Sequence, residues 1–293
     1  MSFKKNISKM TIGTAQFGLG YGISNSLGQV SSQEVSRILD FAKNIGIDAL
    51  DTAIDYGDSE AVLGNNCLKS FSLTTKLPKV PKNYKNFEKW IDAQLDCSLT
   101  RLKVSNLEAI LLHQPIQLLE SFGERLYQKM ELLKKEGLVN KIGISVYSPE
   151  ELDSICTNFH FDIVQAPFNI LDRRLLESGW MSQLEKEGTS LHVRSIFMQG
   201  LLLMDKEKRP SQFSPWNQLW DKWHQWLEHT NQSPLEACIR YVFSMPQIDK
   251  IVVGIDSKSH LEEIINSLDC KTFIVPKDLN SSDVMLLNPS NWK

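Results

Sequence analysis

Short apolar runs of strand length alternate with amphipathic helical windows along the whole chain. This alternation is typical of βα units, in which helices join parallel strands. The pattern predicts strands at residues 9–13, 47–51, 71–76, 107–113, 141–146, 163–166, 191–196 and 250–254. Each predicted strand is followed by a helix, so the pattern favours a (β/α)8 barrel, the TIM-barrel fold. The chain has 293 residues, within the roughly 200 to 400 residues of a single such barrel.

The predicted helices have recognisable starts and apolar faces. They cover residues 32–45, 59–68, 86–102, 122–136 and 258–268, and another one opens at Ser148-Pro149. Serine is a favoured N-cap, and proline fits the first helical turn. Ser31 or Ser32 is the predicted cap of the first helix, and the residues that share its apolar face are Val35, Ile38, Leu39 and Ala42.

An insertion between the seventh and eighth predicted strands, residues 204–232, contains four tryptophans. Trp216, Trp220, Trp223 and Trp226 are spaced so that a helix would carry them on one face. We interpret this segment as a helix packed on the barrel, with a substrate lid or a subunit contact as alternatives. The sequence shows no internal repeat or disordered linker, so residues 1–293 are predicted to form a single domain.

Composition narrows the classes of function. A net charge of -3 and a pI near 6.1 give no broad basic surface, which disfavours nucleic acid and membrane surfaces as partners. Five scattered cysteines, Cys67, Cys97, Cys156, Cys238 and Cys270, form no CxxC pair and suit reduced thiols. We see no metal-ligand pattern, signal peptide or membrane span. A cytoplasmic monomer or homodimer is expected.

Four polar residues lie at or just after the ends of successive predicted strands. They are Asp51, Tyr56, Lys76 and His113. Neighbouring strands of a barrel end at one mouth, so these side chains should meet there. A tyrosine, with a reference pKa of about 10, exchanges protons poorly near neutrality until an ammonium such as Lys76 stabilises its phenolate. Asp51 would hold Lys76, and His113 would hydrogen-bond a substrate oxygen. This set suits proton donation to a carbonyl oxygen while hydride reaches its carbon.

These residues belong to motifs that resemble those of the aldo-keto reductase family, in that family's order. The motifs are Gly13-Thr14-Ala15, Asp51-Thr52-Ala53 with Tyr56-Gly57 and Ser59-Glu60, Thr75-Lys76, Leu112-His113 and Gly143-Ile144-Ser145. The resemblance implies a (β/α)8 barrel that binds NAD(P)(H) at its mouth. It also implies a catalytic tetrad of Asp51, Tyr56, Lys76 and His113, with Tyr56 as the general acid in reduction.

The same resemblance implies a cofactor site. Gly13, Thr14 and Ala15 would lie near the nicotinamide, and Ser145 and Gln165 would hold its carboxamide. Val146 stands where the family often has asparagine. Arg194, followed by Ser195, stands where many members stack an aromatic ring on the nicotinamide. A guanidinium can stack on a π face, or it can bind an anionic group of the substrate.

The loop after the eighth strand would meet the adenosine end of the cofactor. Gly254 and His260 occupy positions that are usually basic in members that bind NADP. Asp256 would repel a 2′-phosphate and accept a hydrogen bond from a free ribose hydroxyl. Lys258 still allows NADP, and Glu263 lies in the same segment. The expected cofactor is NAD or NADP, with a slight preference for NAD.

The first loop carries the candidate substrate residues Gln16, Phe17 and Tyr21, which would act with Tyr56, His113 and Arg194. Residues 16–23 resemble a bacterial subgroup of aldo-keto reductase-like proteins associated with sugar and surface-polysaccharide metabolism, which favours a carbonyl or sugar-like substrate. Two alternatives remain. The chain could be a cofactor-binding regulatory subunit on the same barrel, or a lyase or isomerase on an unrelated barrel.

Overall fold

The computed structural model describes residues 3–25, 28–82, 86–268 and 274–292, and its centre is a closed barrel of eight parallel strands. The strands follow one another around the barrel in chain order, and the last pairs with the first. They are β1 Met10–Gly13, β2 Ala49–Asp51, β3 Ser72–Leu77, β4 Leu107–Leu112, β5 Val139–Ser145, β6 Ile163–Pro167, β7 Ser190–Arg194 and β8 Lys250–Gly254. The predicted (β/α)8 barrel is confirmed.

Helices connect the strands. They are α1 Phe3–Lys9, α2 Ala15–Gly18, α3 Ser32–Ile45, α4 Ser59–Gly64, α5 Phe87–Leu102, α6 Gly123–Lys135, α7 Pro149–Ile155, α8 Arg174–Glu177, α9 Trp180–Glu187, α10 Asn217–Thr230, α11 Pro234–Phe243, α12 Lys258–Asn266 and α13 Val284–Leu287. Short 3-10 turns lie at Pro115–Leu119, Met198–Leu203, Lys206–Lys208, Ser211–Trp216 and Pro289–Asn291. No helix in the described ranges is both long and apolar enough to cross a bilayer.

Local sequence explains where α3 begins and ends. The Ser31 side chain accepts a hydrogen bond from the Glu34 backbone N–H, so Ser31 rather than Ser32 is the N-cap. Gly46 adopts a φ of 90°, a left-handed conformation that glycine tolerates at a helix end. The predicted apolar face is buried against the barrel, as Val35, Ile38, Leu39 and Ala42 are all 3% exposed or less.

Glu60, in the Ser59-Glu60 part of the motif around Tyr56, stabilises the fold rather than facing the site. Glu60 is only 1% exposed and accepts hydrogen bonds from Thr75 at 2.7 Å, Ser98 at 2.6 Å and Arg101 Nε at 2.8 Å. These bonds join α4 to β3 and α5. Because Thr75 precedes Lys76 in β3, this buried network fixes the strand that carries the candidate lysine.

The tryptophan-rich insertion forms α10, and its indoles pack inward. Trp220 and Trp223 are 1% and 0% exposed, and Trp226 is 8% exposed. The prediction of a packed helix is therefore confirmed for these three residues. Trp216 differs, because it ends the preceding 3-10 turn and donates its indole N–H to Asp283 at 2.9 Å.

The C-terminal segment, residues 274–292, is held to the barrel by a buried arginine. Arg173 donates to the carbonyl oxygens of Pro276 at 3.1 Å and Leu279 at 3.3 Å. Its guanidinium lies 5.4 Å from the centre of the Tyr241 ring. Four cysteines are free thiols, Cys67, Cys97, Cys156 and Cys238. Cys270, predicted to be reduced as well, lies outside the described residues.

Candidate active site

A cavity of about 320 Å³ opens at the C-terminal ends of the strands. The parallel register brings these ends level, since Gly13 pairs with Asp51 and Ser145 pairs with Gln165. Most of the predicted site residues line this cavity: Gly13, Thr14, Ala15, Gln16, Tyr21, Asp51, Tyr56, His113, Ser145, Arg194, Ser195, Gly254, Asp256 and His260. Catalytic residues of α/β barrels are found at this end of the strands.

The four candidate catalytic side chains lie together. Lys76 Nζ donates to Asp51 Oδ1 at 2.5 Å and to the Thr52 carbonyl at 2.9 Å, and both charged groups are buried. Lys76 Nζ lies 5.2 Å from the centre of the Tyr56 ring. The Tyr56 and His113 rings meet edge to face, with centroids 5.8 Å apart. A phenol and an imidazole therefore face one cavity, in front of a buried ion pair.

Gln165 lies behind the cavity wall and supports Asp51. Its Nε2 donates to Asp51 Oδ2 at 2.7 Å, and its Oε1 accepts a hydrogen bond from Ser145 at 3.3 Å. Both Asp51 oxygens are thus engaged, one by Lys76 and one by Gln165. The sequence predicted Gln165 as a cofactor ligand but not this bond, which joins β2 to β6 across 114 positions of sequence.

The surroundings of Tyr56 favour its protonated form. Burial raises the pKa of Tyr56 above its ordinary value, the Asp51 carboxylate raises it further, and the Arg194 guanidinium opposes the rise. The net direction differs from the expectation that Lys76 would stabilise the phenolate. The Lys76 charge is matched by Asp51, and burial lowers the pKa of Lys76 itself while Asp51 opposes that effect. The phenol therefore keeps its proton at neutral pH and can act as an acid.

His113 is neutral in the site. Burial, with smaller contributions from the Lys76 and Arg194 charges, lowers the pKa of His113 to about 3. Its Nδ1 lies 3.7 Å from Asp55 Oδ2. A neutral imidazole carries one N–H, so His113 can donate a hydrogen bond to an oxygen in the cavity.

Arg194, the last residue of β7, is held in place by the residues that directly follow β5 and β7. One guanidinium nitrogen donates to the Val146 carbonyl at 3.0 Å, and another donates to the Ser195 hydroxyl at 3.2 Å. The guanidinium carbon lies 4.5 Å from the centre of the Tyr147 ring. Tyr147 lines the cavity but was not predicted, although an aromatic residue directly after a strand end is a recognisable signal.

In the loop and helix that follow β8, Asp256 and His260 lie next to each other, with His260 Nδ1 3.9 Å from Asp256 Oδ2. Asp256 Oδ1 is buried and has no hydrogen-bond partner within the described ranges. His260 Nδ1 accepts a hydrogen bond from the Asp256 backbone N–H at 3.5 Å. Burial raises the pKa of Asp256, and the His260 charge opposes the rise.

Besides Lys76 and Gln165, which contact Asp51 but do not line the cavity, three predicted residues lie away from it. Phe17 is completely buried in the hydrophobic core and does not line the cavity, which corrects its predicted place among the substrate residues. Lys258 Nζ lies 3.1 Å from a Glu262 oxygen and 5.3 Å from the centre of the Phe41 ring. Glu263 is exposed on α12.

The rim of the cavity comes from two loops that carry no periodic pattern. Tyr21 in the first loop accepts a hydrogen bond from Gln199 at 3.0 Å, and Gln199 follows β7. Ser195, Met198 and Gln199 all have positive φ, at 61°, 48° and 55°, which is uncommon for residues with side chains. Rim residues that the sequence analysis missed are Ser24, Asn25, Ile196, Phe197, Gln199, Gly200 and Leu203.

The barrel and this site together are typical of one class of oxidoreductase. Comparison with known proteins identifies the family to which the chain belongs. The model of the Aldo/keto reductase family matches residues 9–280, most of the chain. The protein belongs to the aldo/keto reductase family and is an oxidoreductase of that type. Such enzymes use nicotinamide cofactors.

Individual relatives agree with this assignment. The chain is 24% identical over 288 residues to the uncharacterized oxidoreductase YqkF of Bacillus subtilis, and the match covers 92% of each protein. Among solved structures, holo AKR11C1 from Bacillus halodurans matches with a TM-score of 0.71 at 19% identity, over 91% of this chain and 88% of that one. The glycerol dehydrogenase AKR11B4 from Gluconobacter oxydans gives 0.67 at 20% identity, with the same coverages of 91% and 88%. These two structures support the fold.

Proposed function

We propose that the protein reduces an aldehyde or ketone with a nicotinamide cofactor, or oxidises the corresponding alcohol, and that Tyr56 transfers the proton. The observation that carries this proposal is the convergence of Tyr56 and His113 on one cavity, in front of the Lys76–Asp51 pair. When bound, the cofactor supplies or accepts the hydride.

In the direction of reduction, Tyr56 donates its proton to the carbonyl oxygen as that oxygen gains negative charge. The neutral His113 donates a hydrogen bond to the same oxygen and stabilises the charge. The phenolate that remains on Tyr56 is stabilised by the Arg194 guanidinium, which opposes the rise in the Tyr56 pKa, while Lys76, held by Asp51, lies 5.2 Å from the centre of the ring. Tyr56 then recovers its proton from water, and in alcohol oxidation these roles reverse.

The cavity residues fit a nicotinamide dinucleotide. The buried, unpartnered Asp256 Oδ1 is an acceptor that a ribose hydroxyl would satisfy. The Ser145 hydroxyl lines the cavity at the end of β5, where it would hold the carboxamide with help from Gln165. We place the nicotinamide end beside the backbone of Gly13 and Thr14.

We further propose that NAD is preferred to NADP. Asp256 presents a carboxylate where a 2′-phosphate would bring further negative charge. Glu34 places a second carboxylate beside this loop, because its Oε1 accepts a hydrogen bond from the Lys258 backbone N–H at 2.8 Å. The Lys258 ammonium, the expected phosphate ligand, is engaged by Glu262.

Fluorescence titration of NADH and NADPH tests this preference. The wild-type protein should bind NADH at least about tenfold more tightly, and Asp256→Ser should narrow the difference. Asp278→Ser, which removes a carboxylate from a surface ion pair, is the matched control and should leave the ratio unchanged. Tenfold tighter binding of NADPH to the wild-type protein would contradict the proposal.

The substrate that we propose is a small carbonyl compound, sugar-like in its hydroxyl content. The substrate would share the cavity of about 320 Å³ with the nicotinamide end of the cofactor, which leaves space for a small molecule. The wall offers several polar groups, among them Gln16, Tyr21 and Asn25. One structural neighbour is named as a glycerol dehydrogenase. Cytoplasmic location and a monomeric or homodimeric state stay predictions.

A panel of aldehydes, ketoses and aldoses, assayed with NADH and NADPH, tests the reaction. Turnover of at least one class with oxidation of the cofactor is the expected result. Tight cofactor binding without any turnover would favour the regulatory subunit instead. No cofactor binding at all would favour a lyase or isomerase and would overturn the proposal.

A further inference from the structure

Arg194 brings a positive charge into the cavity that no acidic side chain neutralises. No carboxylate in the described ranges lies within 4.0 Å of its guanidinium. Its hydrogen bonds go to neutral oxygens, those of Val146 and Ser195. The Arg194 charge acts to lower the pKa of Glu151, but Glu151 accepts a hydrogen bond from the Tyr147 backbone N–H and does not line the cavity.

The other charges at the catalytic end are either paired or carried by Asp55, which lies 3.7 Å from His113 and does not line the cavity. Asp51 and Lys76 form a buried pair, and His113 is neutral at pH 7. Of the cavity-lining side chains in the described part of the chain, Arg194 alone carries a permanent positive charge. Arg194 lines the same cavity as Tyr56 and His113, and its charge opposes the rise in the pKa of Tyr56 and contributes to the fall in the pKa of His113. In the described part of the chain, the cavity wall therefore presents one positive charge without an ion-pair partner, that of Arg194.

The guanidinium is also held in one orientation with donors to spare. A guanidinium has five N–H groups, and the two protein contacts use two of them. The Tyr147 ring, 4.5 Å away, supports the guanidinium by a cation–π contact. A planar fork with free donors matches the oxygens of a carboxylate or phosphate.

Two other arginines, Arg174 and Arg173, have structural roles, and their hydrogen-bond partners differ from those of Arg194. Arg174 forms a two-pronged pair with Asp172, at 2.8 Å from each oxygen. Arg173 donates to three carbonyl oxygens, those of Ile170, Pro276 and Leu279. Arg194 lies in the wall of the cavity and differs from both, because it has no carboxylate partner like that of Arg174 and donates to only two acceptors.

We propose that Arg194 is a specificity-determining residue that binds an anionic group of the substrate, so that the protein prefers carbonyl compounds bearing a carboxylate or a phosphate. This inference rests on the proposed function and adds a substrate class to it. The anion displaces water from the free N–H groups of Arg194, and the carbonyl oxygen of the same molecule lies against Tyr56 and His113. Tyr147 is the positioning residue that holds the guanidinium in place.

Matched substrate pairs test the proposal. The carboxylate pair is 4-oxobutanoate and butanal, and the phosphate pair is glyceraldehyde 3-phosphate and glyceraldehyde. The wild-type protein should show a kcat/KM at least about tenfold higher for the charged member of one pair, as expected for charge-assisted hydrogen bonds. That pair identifies the anion as carboxylate or phosphate.

Arg194→Gln should reduce the charged-to-uncharged ratio at least about tenfold, and Arg194→Lys should keep part of it. Arg125→Gln, which changes an exposed arginine on α6, is the matched control and should leave the ratio unchanged. A parallel loss on both members of each pair, with an unaltered ratio, would overturn the proposal. So would a wild-type protein that favours neither charged member.

Calorimetric titration with succinate and with inorganic phosphate separates this proposal from the proposed reaction. The wild-type protein should bind one of these anions, and Arg194→Gln should weaken that binding at least about tenfold. If the protein bound the anion through Arg194 but reduced no carbonyl, the anion site would stand and the proposed reaction would fail. If neither anion bound, the anion site would be wrong whatever the enzyme reduces.

Discussion

Replacement of Lys76 by methionine tests the buried ion pair at the base of the site. Lys76 Nζ lies 2.5 Å from Asp51 Oδ1, and the two side chains are only 1% and 4% exposed. Methionine keeps a similar length, so the main loss is the charge and the two hydrogen bonds to Asp51 and Thr52. Removing one partner leaves the other charge uncompensated, which typically costs about 3 to 5 kcal/mol. The free energy of unfolding should fall by about that amount.

Urea unfolding followed by circular dichroism at pH 7 measures this loss. Adding Asp51→Asn to Lys76→Met removes the orphaned charge, so the double variant should recover about 2 kcal/mol relative to additivity. Lys222→Met is the matched control, because the Lys222–Asp278 pair is exposed and should contribute nothing measurable. A loss below about 1 kcal/mol for Lys76→Met, or strict additivity in the double variant, would refute the reasoning.

Other predictions follow from burial and close packing. Because the pKa of His113 is about 3 rather than the ordinary value of 6.5, the pH profile of kcat/KM should show no ionisation near pH 6.5. A change of slope near pH 6.5 that disappears in His113→Gln would contradict this prediction. Below pH 6.5 the imidazole of His113 binds a proton in the unfolded protein but not in the folded one, so His113 lowers the free energy of unfolding as the pH falls towards 3. In His113→Gln the free energy of unfolding should therefore decrease less steeply with falling pH, by up to about 1.4 kcal/mol per pH unit. An alanine at Gly64 would place its Cβ 1.9 Å from the Arg101 carbonyl oxygen, and thermal unfolding should show a loss of about 3 kcal/mol. A Cβ at Gly20 would make only ordinary van der Waals contact with Gly28, 3.6 Å away, so Gly20→Ala should be tolerated.

The barrel could be predicted because its strands are continuous apolar runs bounded by turns. The ends of every predicted strand lie within two residues of the observed ends. The helix predicted over 59–68 stops at Gly64, since beyond that point the chain turns at Asn65. Helix α11 was missed, although Ser233 and Glu236 form a capping box that the sequence displays. Tertiary packing, rather than local pattern, defines the short helices α2 and α8.

The site was predictable where residues follow strand ends in a recognisable motif. Tyr56, Lys76 and His113 meet because their strands are neighbours. The Gln165–Asp51 bond could not be foreseen, because it crosses the barrel between non-adjacent strands. The Tyr21–Gln199 contact depends on the conformations of two loops, with positive φ at residues without a glycine signal. The pKa direction of Tyr56 likewise depends on burial, which the sequence does not specify.

The central claim is that Tyr56 donates the proton to the reacting oxygen, and single-turnover reduction by Tyr56→Phe tests it most directly. The protein is first loaded with the reduced cofactor and then mixed with an aldehyde that the wild-type enzyme reduces. Loss of a general acid should slow the chemical step by about 100-fold or more, while the Kd for the cofactor stays within about threefold of the wild-type value. A Tyr56→Phe protein that binds the cofactor normally and reduces the aldehyde at the wild-type rate would contradict the account.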